Sequence, residues 1–426
     1  MRIEKKTVKA LVLVCLWVIT LFGCGKKQPV ENAAETKKDK TKREFFSLQG
    51  GGATLTDEYA LLPAMAYGSA RYFDVTSGKD VIFCFEPNCE HKKPHYDMAS
   101  HQMLDDTCTA YHMGNGAFVL RDEYGYYFSD LRELVRTDRE GKNQKVIGKI
   151  SEPIEHYYTQ IFTEKDFFTT YQNMYCYQVV QDGEEDKWLP TEQTRETVDF
   201  GIYRVSMVDG KSTKIFNRDD QYETFIDTMY EYDGHLFFDC HYLDVPRKTL
   251  PPISEEEDYR NNIDRYREEY NRHVHYEVYD YEIATDRLIC VLKIDHSVGG
   301  VRFGDGFFVT FSTEGGQGYP AAIYRSDGEK LHEMDFAIEG MAQSDRASIL
   351  GTYEDGAWTY REYDVWENKI LREIRLPSGK VLDTAIGDTY YMHVPGGSGY
   401  TLAYIRREDF WNGEFDKAVP FTRTPD

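Results

Sequence analysis

Seven times along this chain an apolar, aromatic-rich run meets a short polar turn and is followed by a second apolar run. The copies span Arg71–Phe83, Glu133–Ile147, Gly201–Phe216, Tyr276–Ile294, Ala322–Phe336, Tyr360–Leu376 and, in the weakest form, Leu402–Phe415. The pairs Asp209-Gly210, Asp233-Gly234, Asp305-Gly306, Asp327-Gly328 and Asp355-Gly356 punctuate these runs, and such dipeptides between alternating apolar segments are hairpin signals. Other stretches have the shape of an inner strand pair: Tyr230–Phe238, Val301–Val309 and Leu382–Tyr391. The later copies begin at 276, 322, 360 and 402, steps of 46, 38 and 42 residues. That spacing is the length of one four-stranded unit in a radial array. Aromatic residues make up 15% of the chain and favour strands. The pattern predicts an all-β fold, a β-propeller of seven blades by this count. Six or eight would fit if the faint first and last units are read differently, and a β-sandwich pair is the competing array.

The earlier steps of 62, 68 and 75 residues are too long for one unit, so they must hold insertions. One covers roughly 184–198, charged and without periodicity. Another covers 244–275. There Pro251-Pro252 precedes Ser254 and, three residues on, Glu257, a capping-box pattern. Tyr259, Ile263, Tyr266 and Tyr270 follow at helical spacing. A short helix at about 255–272, packed through its tyrosines, is expected. The third insertion is 84–111.

The N-terminus sets an address. Met1–Lys9 carries Arg2, Lys5, Lys6 and Lys9 against Glu4, and Ala10–Phe22 is apolar. Thirteen apolar residues fall short of the ~20 of a spanning helix and fit the core of a secretory signal. Leu21-Phe22-Gly23-Cys24 follows. It resembles the lipobox of bacterial lipoproteins, with Phe22 where a smaller residue is usual. The resemblance implies a signal peptide over 1–23, diacylglyceryl attachment at Cys24 and localisation at the cell membrane, lipid-anchored and facing outward. Two acyl chains suffice for stable anchoring. Residues 24–44 hold a single valine as their large apolar side chain and read as a disordered stalk. They carry a net +3, as do residues 1–23, which leaves about −29 for 45–426 out of −23 for the whole chain. The basic stalk suits anionic head groups. The acidic remainder argues against nucleic acid as a partner, having no cation excess to neutralise phosphates.

The insertion 84–111 carries the sharpest chemical signal. Cys84, Cys89, His91 and Cys108 lie within Phe83-Cys-Phe-Glu-Pro-Asn-Cys-Glu-His91 and Cys108-Thr-Ala-Tyr111. Three thiolates and one imidazole form a tetrahedral set suited to structural Zn²⁺. Outside the cytoplasm the same thiols can oxidise instead, as Cys84–Cys89 or Cys89–Cys108, with one thiol left over. A closed four-ligand site has no position for substrate, so a staple for a loop or a sensor of metal or redox state is implied, not catalysis. No other cofactor is expected. His95, His101 and His112 are nearby and read as solvated. The segment Cys84–Tyr111, with the blade pattern, resembles propeller lipoproteins of Gram-positive anaerobes grouped as DUF5050 or TolB-like propellers. The sixteen residues before Cys108 exceed the gap usual in that group. Cys176, Cys240 and Cys290 sit in apolar runs and read as small strand residues, and Cys15 leaves with the signal.

Catalytic signatures fail on inspection. Gly396-Gly-Ser-Gly399 lacks nucleophile-elbow spacing. Asp209-Gly-Lys-Ser212 has Val205 where a phosphate-binding loop requires glycine. His332-Glu333 is not followed by a second histidine at the metalloprotease spacing. Among 73 acidic residues no catalytic pair can be singled out. The expectation is a monomeric, non-catalytic binding or scaffold module for a peptide, glycan or envelope protein. The alternative is an extracellular glycan-acting hydrolase or lyase, which would require acidic or histidine side chains from several blades to converge with raised pKa values.

Overall fold

The aromatic hairpins do pair, and they pair in series. The computed structural model describes residues 44–423 apart from breaks, the longer ones being 62–70, 109–118, 190–199, 246–268 and 312–319. Residues 1–43, which hold the expected signal, the expected lipid-attachment residue Cys24 and nearly all of the expected stalk, lie outside the described residues, as does Cys176. Arg43–Asp426 is one compact unit.

Among the described residues, seven antiparallel meanders follow one another along the chain. The first contains strands 51–55, 60–61, 71–74 and 79–82, preceded by 44–48. The second runs from 119 to 149 and the third uses 156–162, 166–172, 200–206 and 212–218. The fourth has a first strand in two pieces, 222–225 and 229–232, then 235–243, 274–282 and 287–294. The fifth occupies 301–333, the sixth 340–375 and the seventh 381–420. The sixth and seventh touch through a parallel pairing of Gln343 with Thr384 and Ser344 with Ala385.

Alternation along each inner strand explains how the meanders stack. In a strand, successive side chains point to opposite faces. Along 235–243, Leu236, Phe238 and Cys240 join Ile161, Phe168 and Ile202 of the third meander. Phe237 and Leu243 point the other way, to Val301 and Phe308 of the fifth. Phe307 and Val309 then turn to Leu350 and Tyr363 of the sixth. Tyr360 and Ile349 of the sixth meet Leu382 and Tyr390 of the seventh. The fourth, fifth and sixth sheets therefore each bury both faces. Each fully buried phenylalanine, such as Phe168 or Phe238, contributes roughly 1.5–3 kcal/mol.

The chain end returns to its beginning. Val419 and Pro420 pair with Tyr404 and Ala403 of the seventh meander. Two residues later Thr422 and Arg423 pair in parallel with Lys79 and Asp80 of the first.

Two expectations need correction, and a third is seen in part. The second strand expected in Leu402–Phe415 is replaced by a helix, Arg407–Trp411, and a turn of 3-10 helix, Phe415–Lys417. The helix forms because Phe410 and Trp411 can bury against Tyr390, which a surface strand would not allow. The insertion at 184–198 is not wholly irregular, since Glu185–Leu189 pairs with Gln178–Asp182 as a separate hairpin. Of the expected helix at 255–272, residues 269–273 are helical and Tyr270 packs on the core between the fourth and fifth meanders. Tyr259, Ile263 and Tyr266 lie outside the described residues.

Candidate functional site

The four residues Cys84, Cys89, His91 and Cys108 come together. One ligand atom from each lies within 4.8 Å of the others. The strand 79–82 delivers Cys84, and the turn after it reverses through Asn88 and His91, both with positive φ of 62° and 50°. A small hairpin, His95–Asp97 with Gln102–Leu104, leaves and returns, and this accounts for the long gap before Cys108. Cys108 is fully buried against Ile82, with Cys84 and Cys89 half-buried beside it. No disulfide joins any of the described cysteines. Cys108 Sγ stands 3.6 Å from His91 Nδ1. The set can hold a metal ion. His101 and His112, and the side chain of His95, lie outside what is described. Cys240 is buried, and burial pushes its thiol up, while Cys290 donates to the Leu292 carbonyl at 3.4 Å. Both fit inert strand positions.

A second cluster, which sequence reasoning missed, lies in the fourth meander. Asp227, Asp239 and His241 each present a ligand atom within 4.8 Å of the others. The first strand of this meander is broken at 226–228. Phe225 pairs with His241 and Met229 with Phe238, so Asp239 faces the break. There it accepts from the Thr228 backbone N–H at 2.8 Å and the Thr228 hydroxyl at 2.6 Å, both on Oδ1. Strand irregularities of this kind re-aim side chains next to functional sites. The one available signal was a charge inside an apolar run, Leu236-Phe-Phe-Asp-Cys-His241. Burial, and then the Asp227 charge, push the Asp239 carboxyl above the usual carboxylate range. Asp227 is half-exposed. Against its own desolvation, His241 and Arg302 hold it below that range.

A third feature is an open cleft of about 910 Å³ where the fifth, sixth and seventh meanders meet. Phe311, Tyr353, Trp358 and Tyr400 line it with Glu339 and Lys380. Tyr353 is 50% and Tyr400 65% exposed. Tyr353 packs on Trp358 at 5.4 Å between ring centroids, and Trp358 stacks on Tyr360 at 5.6 Å. Glu339 is held in place by accepting from the Tyr353 N–H at 2.9 Å.

No family model matches the sequence, and no curated protein matches it. Among solved structures the chain is similar to the uncharacterized protein lmo1340 of Listeria monocytogenes EGD-e, at 12% identity and a TM-score of 0.40, over 72% of this chain and 79% of that one. It is similar to an oligogalacturonate lyase of Vibrio parahaemolyticus at 12% identity and a TM-score of 0.43, over 70% and 74%. It is also similar to a puromycin hydrolase at 9% identity and a TM-score of 0.48, over 86% of this chain and about half, 52%, of that one.

Proposed function

We propose that this chain is a lipid-anchored, cell-surface β-propeller of seven blades that binds an extracellular ligand without transforming it. Attachment through Cys24 rests on the charged start, the short apolar core and the Gly23-Cys24 pair. Closure of the ring is supported by the last residues, which pair with both the seventh and the first meander. A repeated contact supports it too. The Asp209-Gly210 turn of the third meander abuts the Ile147 backbone of the second, and the Gly328 turn of the fifth abuts Val291 of the fourth. Gly78 of the first lies against Val419 of the seventh in the same sense.

Zn²⁺ is the ion assigned to Cys84, Cys89, His91 and Cys108. With Zn–S near 2.3 Å and Zn–N near 2.05 Å, a tetrahedral centre sets its sulfur and nitrogen ligands about 3.6 Å apart, the separation found between Cys108 and His91. Its role is structural, tying the loop after the first meander to that sheet's edge.

The observation that carries the binding role is the cleft. Two exposed rings, Tyr353 and Tyr400, line it, Tyr353 packs on Trp358, and one acid, Glu339, and one base, Lys380, share the lining. Aromatic faces with a few placed polar groups are how sugars and peptides are held, and a glycan suits an open cleft lined by exposed rings. The test is a glycan and peptide binding screen on the full chain, repeated with Tyr400→Ala and Tyr353→Ala. Binding that both substitutions weaken tenfold or more supports the assignment; binding that neither affects refutes it.

A hydrolase or lyase reading has one observation in its favour, the raised Asp239 carboxyl beside Asp227 and His241. All three come from a single meander, whereas acid–base work in a funnel would draw them from several. Turnover of a polysaccharide that Asp239→Asn abolishes would establish it.

A further inference from the structure

Asp239 is a sealed carboxyl with one oxygen unmet. Its side chain is 0% exposed. Both Thr228 donors go to Oδ1, and Oδ2 is buried with no hydrogen-bond partner. A buried, half-satisfied carboxylate is costly unless a positive charge meets it. One carboxylate oxygen of Asp239 lies within 4.8 Å of ligand atoms of both Asp227 and His241, and Asp227 Oδ2 and His241 Nδ1 are themselves 3.1 Å apart.

We infer that Asp227, Asp239 and His241 form a second metal site, distinct from the cysteine cluster, that binds a first-row divalent cation of the Mn²⁺ type. The strand supplies the ligands by its own period: Asp239 and His241 are two apart and share a face, while Cys240 between them turns into the core with Phe238. No thiolate therefore enters the set. Two carboxylates and one imidazole are hard to borderline ligands and suit Mn²⁺ better than the three-thiolate cluster does. Support from the surrounding groups fixes the ligands. Thr228 holds Oδ1 of Asp239 and reaches the Val301 carbonyl of the fifth meander at 3.4 Å. Thr159 of the third donates to the Asp227 carbonyl at 3.3 Å. The His241 ring is stacked on Phe225 at 5.2 Å and lies 5.2 Å from Tyr276. Groups that hold a ligand from behind in this way fix its orientation toward a metal. The Arg302 charge acts on Asp227, but three ligands with two negative charges still leave the site net anionic. Half-exposed Asp227 keeps one side of it open to solvent, so water would complete the coordination.

The test uses Mn²⁺ itself on the full chain after chelator treatment. Electron paramagnetic resonance should report one bound Mn²⁺ per chain, with nitrogen modulation from a coordinated imidazole that His241→Gln removes. Asp239→Asn keeps the shape and deletes the buried charge. It should weaken uptake at least ~100-fold, the scale on which even supporting groups matter, while Cys84→Ser leaves uptake unchanged. No stoichiometric uptake by the unaltered chain, bound Mn²⁺ without nitrogen modulation, or uptake indifferent to Asp239→Asn would each overturn the assignment. In the first case Asp239 resolves its burial by holding a proton.

Discussion

Glu362, 2% exposed in the sixth meander, accepts from Arg407 at the head of the seventh meander's helix and from Arg372 Nε at 2.5 Å. One carboxylate thus clamps the outer strand of its own sheet and the element that replaced a strand in the next. The helix Arg407–Trp411 has no side-chain cap at its N-terminus, so this clamp and the burial of Phe410 and Trp411 hold it.

Glu362→Ala should accordingly cost about 3 kcal/mol, the scale for removing one partner of a buried pair. Both arginines can partly rehydrate, which keeps the loss at the low end. Breaking the exposed pair Lys417–Asp409, at 2.7 Å, should have little effect in the same urea unfolding measurement, because solvent screens it. Equal losses at the two sites would contradict the clamp.

Two turn glycines separate backbone from packing costs. Gly328 has φ +89°, and a Cβ there would meet the Val291 carbonyl oxygen of the fourth meander at 2.1 Å. Gly356 has φ +76° and nothing within 4 Å. Gly356→Ala should cost only the left-handed penalty, roughly 1–2 kcal/mol. Gly328→Ala should cost that plus overpacking, roughly 2–5 kcal/mol in all. Thermal unfolding of both variants ranks them.

Metal analysis of the full chain should find zinc that Cys84→Ser and Cys108→Ser each remove. Because metal binding to the native state adds to folding free energy, chelation should lower the unfolding temperature. It should lower it less in either variant, where only the site of Asp227, Asp239 and His241 can still lose an ion. Zinc retained in both would refute the ligand set.

His393 supplies a pH dependence. Its Nε2 lies 3.5 Å from Asp383 Oδ1, and the hydrogen bond and charge of Asp383 raise its pKa against the opposing desolvation. A folded-state pKa above the unfolded ~6.5 means the pair stabilises fully below about pH 6.5 and is lost as pH rises through the folded value. The imidazole resonance should titrate above 6.5 and fall back towards it in Asp383→Asn. A midpoint at or below 6.5 in the unaltered chain would contradict this.

Much of the architecture was legible because it is local. The hairpin runs at 71–83, 133–147, 201–216, 276–294, 322–336 and 360–376 each become two paired strands. Alternation of apolar residues and the turn chemistry of Asp-Gly act within a dozen residues. The failure at 402–415 has the opposite cause. Arg407–Trp411 is helical because Tyr390 and Glu362 wait on other strands, and no local pattern reports them. The cysteine cluster was legible from residue type and spacing. Its gap of sixteen residues became intelligible only once the hairpin 95–104 returned the chain to Cys108.

Residue order alone therefore determined the β-strand content, six of the recurring hairpins and the set of thiols that gathers around His91, since each is written in residue type and near spacing. Tertiary structure alone decided that Asp239 is sealed from water with one oxygen unmet, and that Gly328 and Gly210 sit against another sheet's backbone. Burial and close approach are properties of what lies opposite a residue, and in this fold the opposite surface comes from a different repeat.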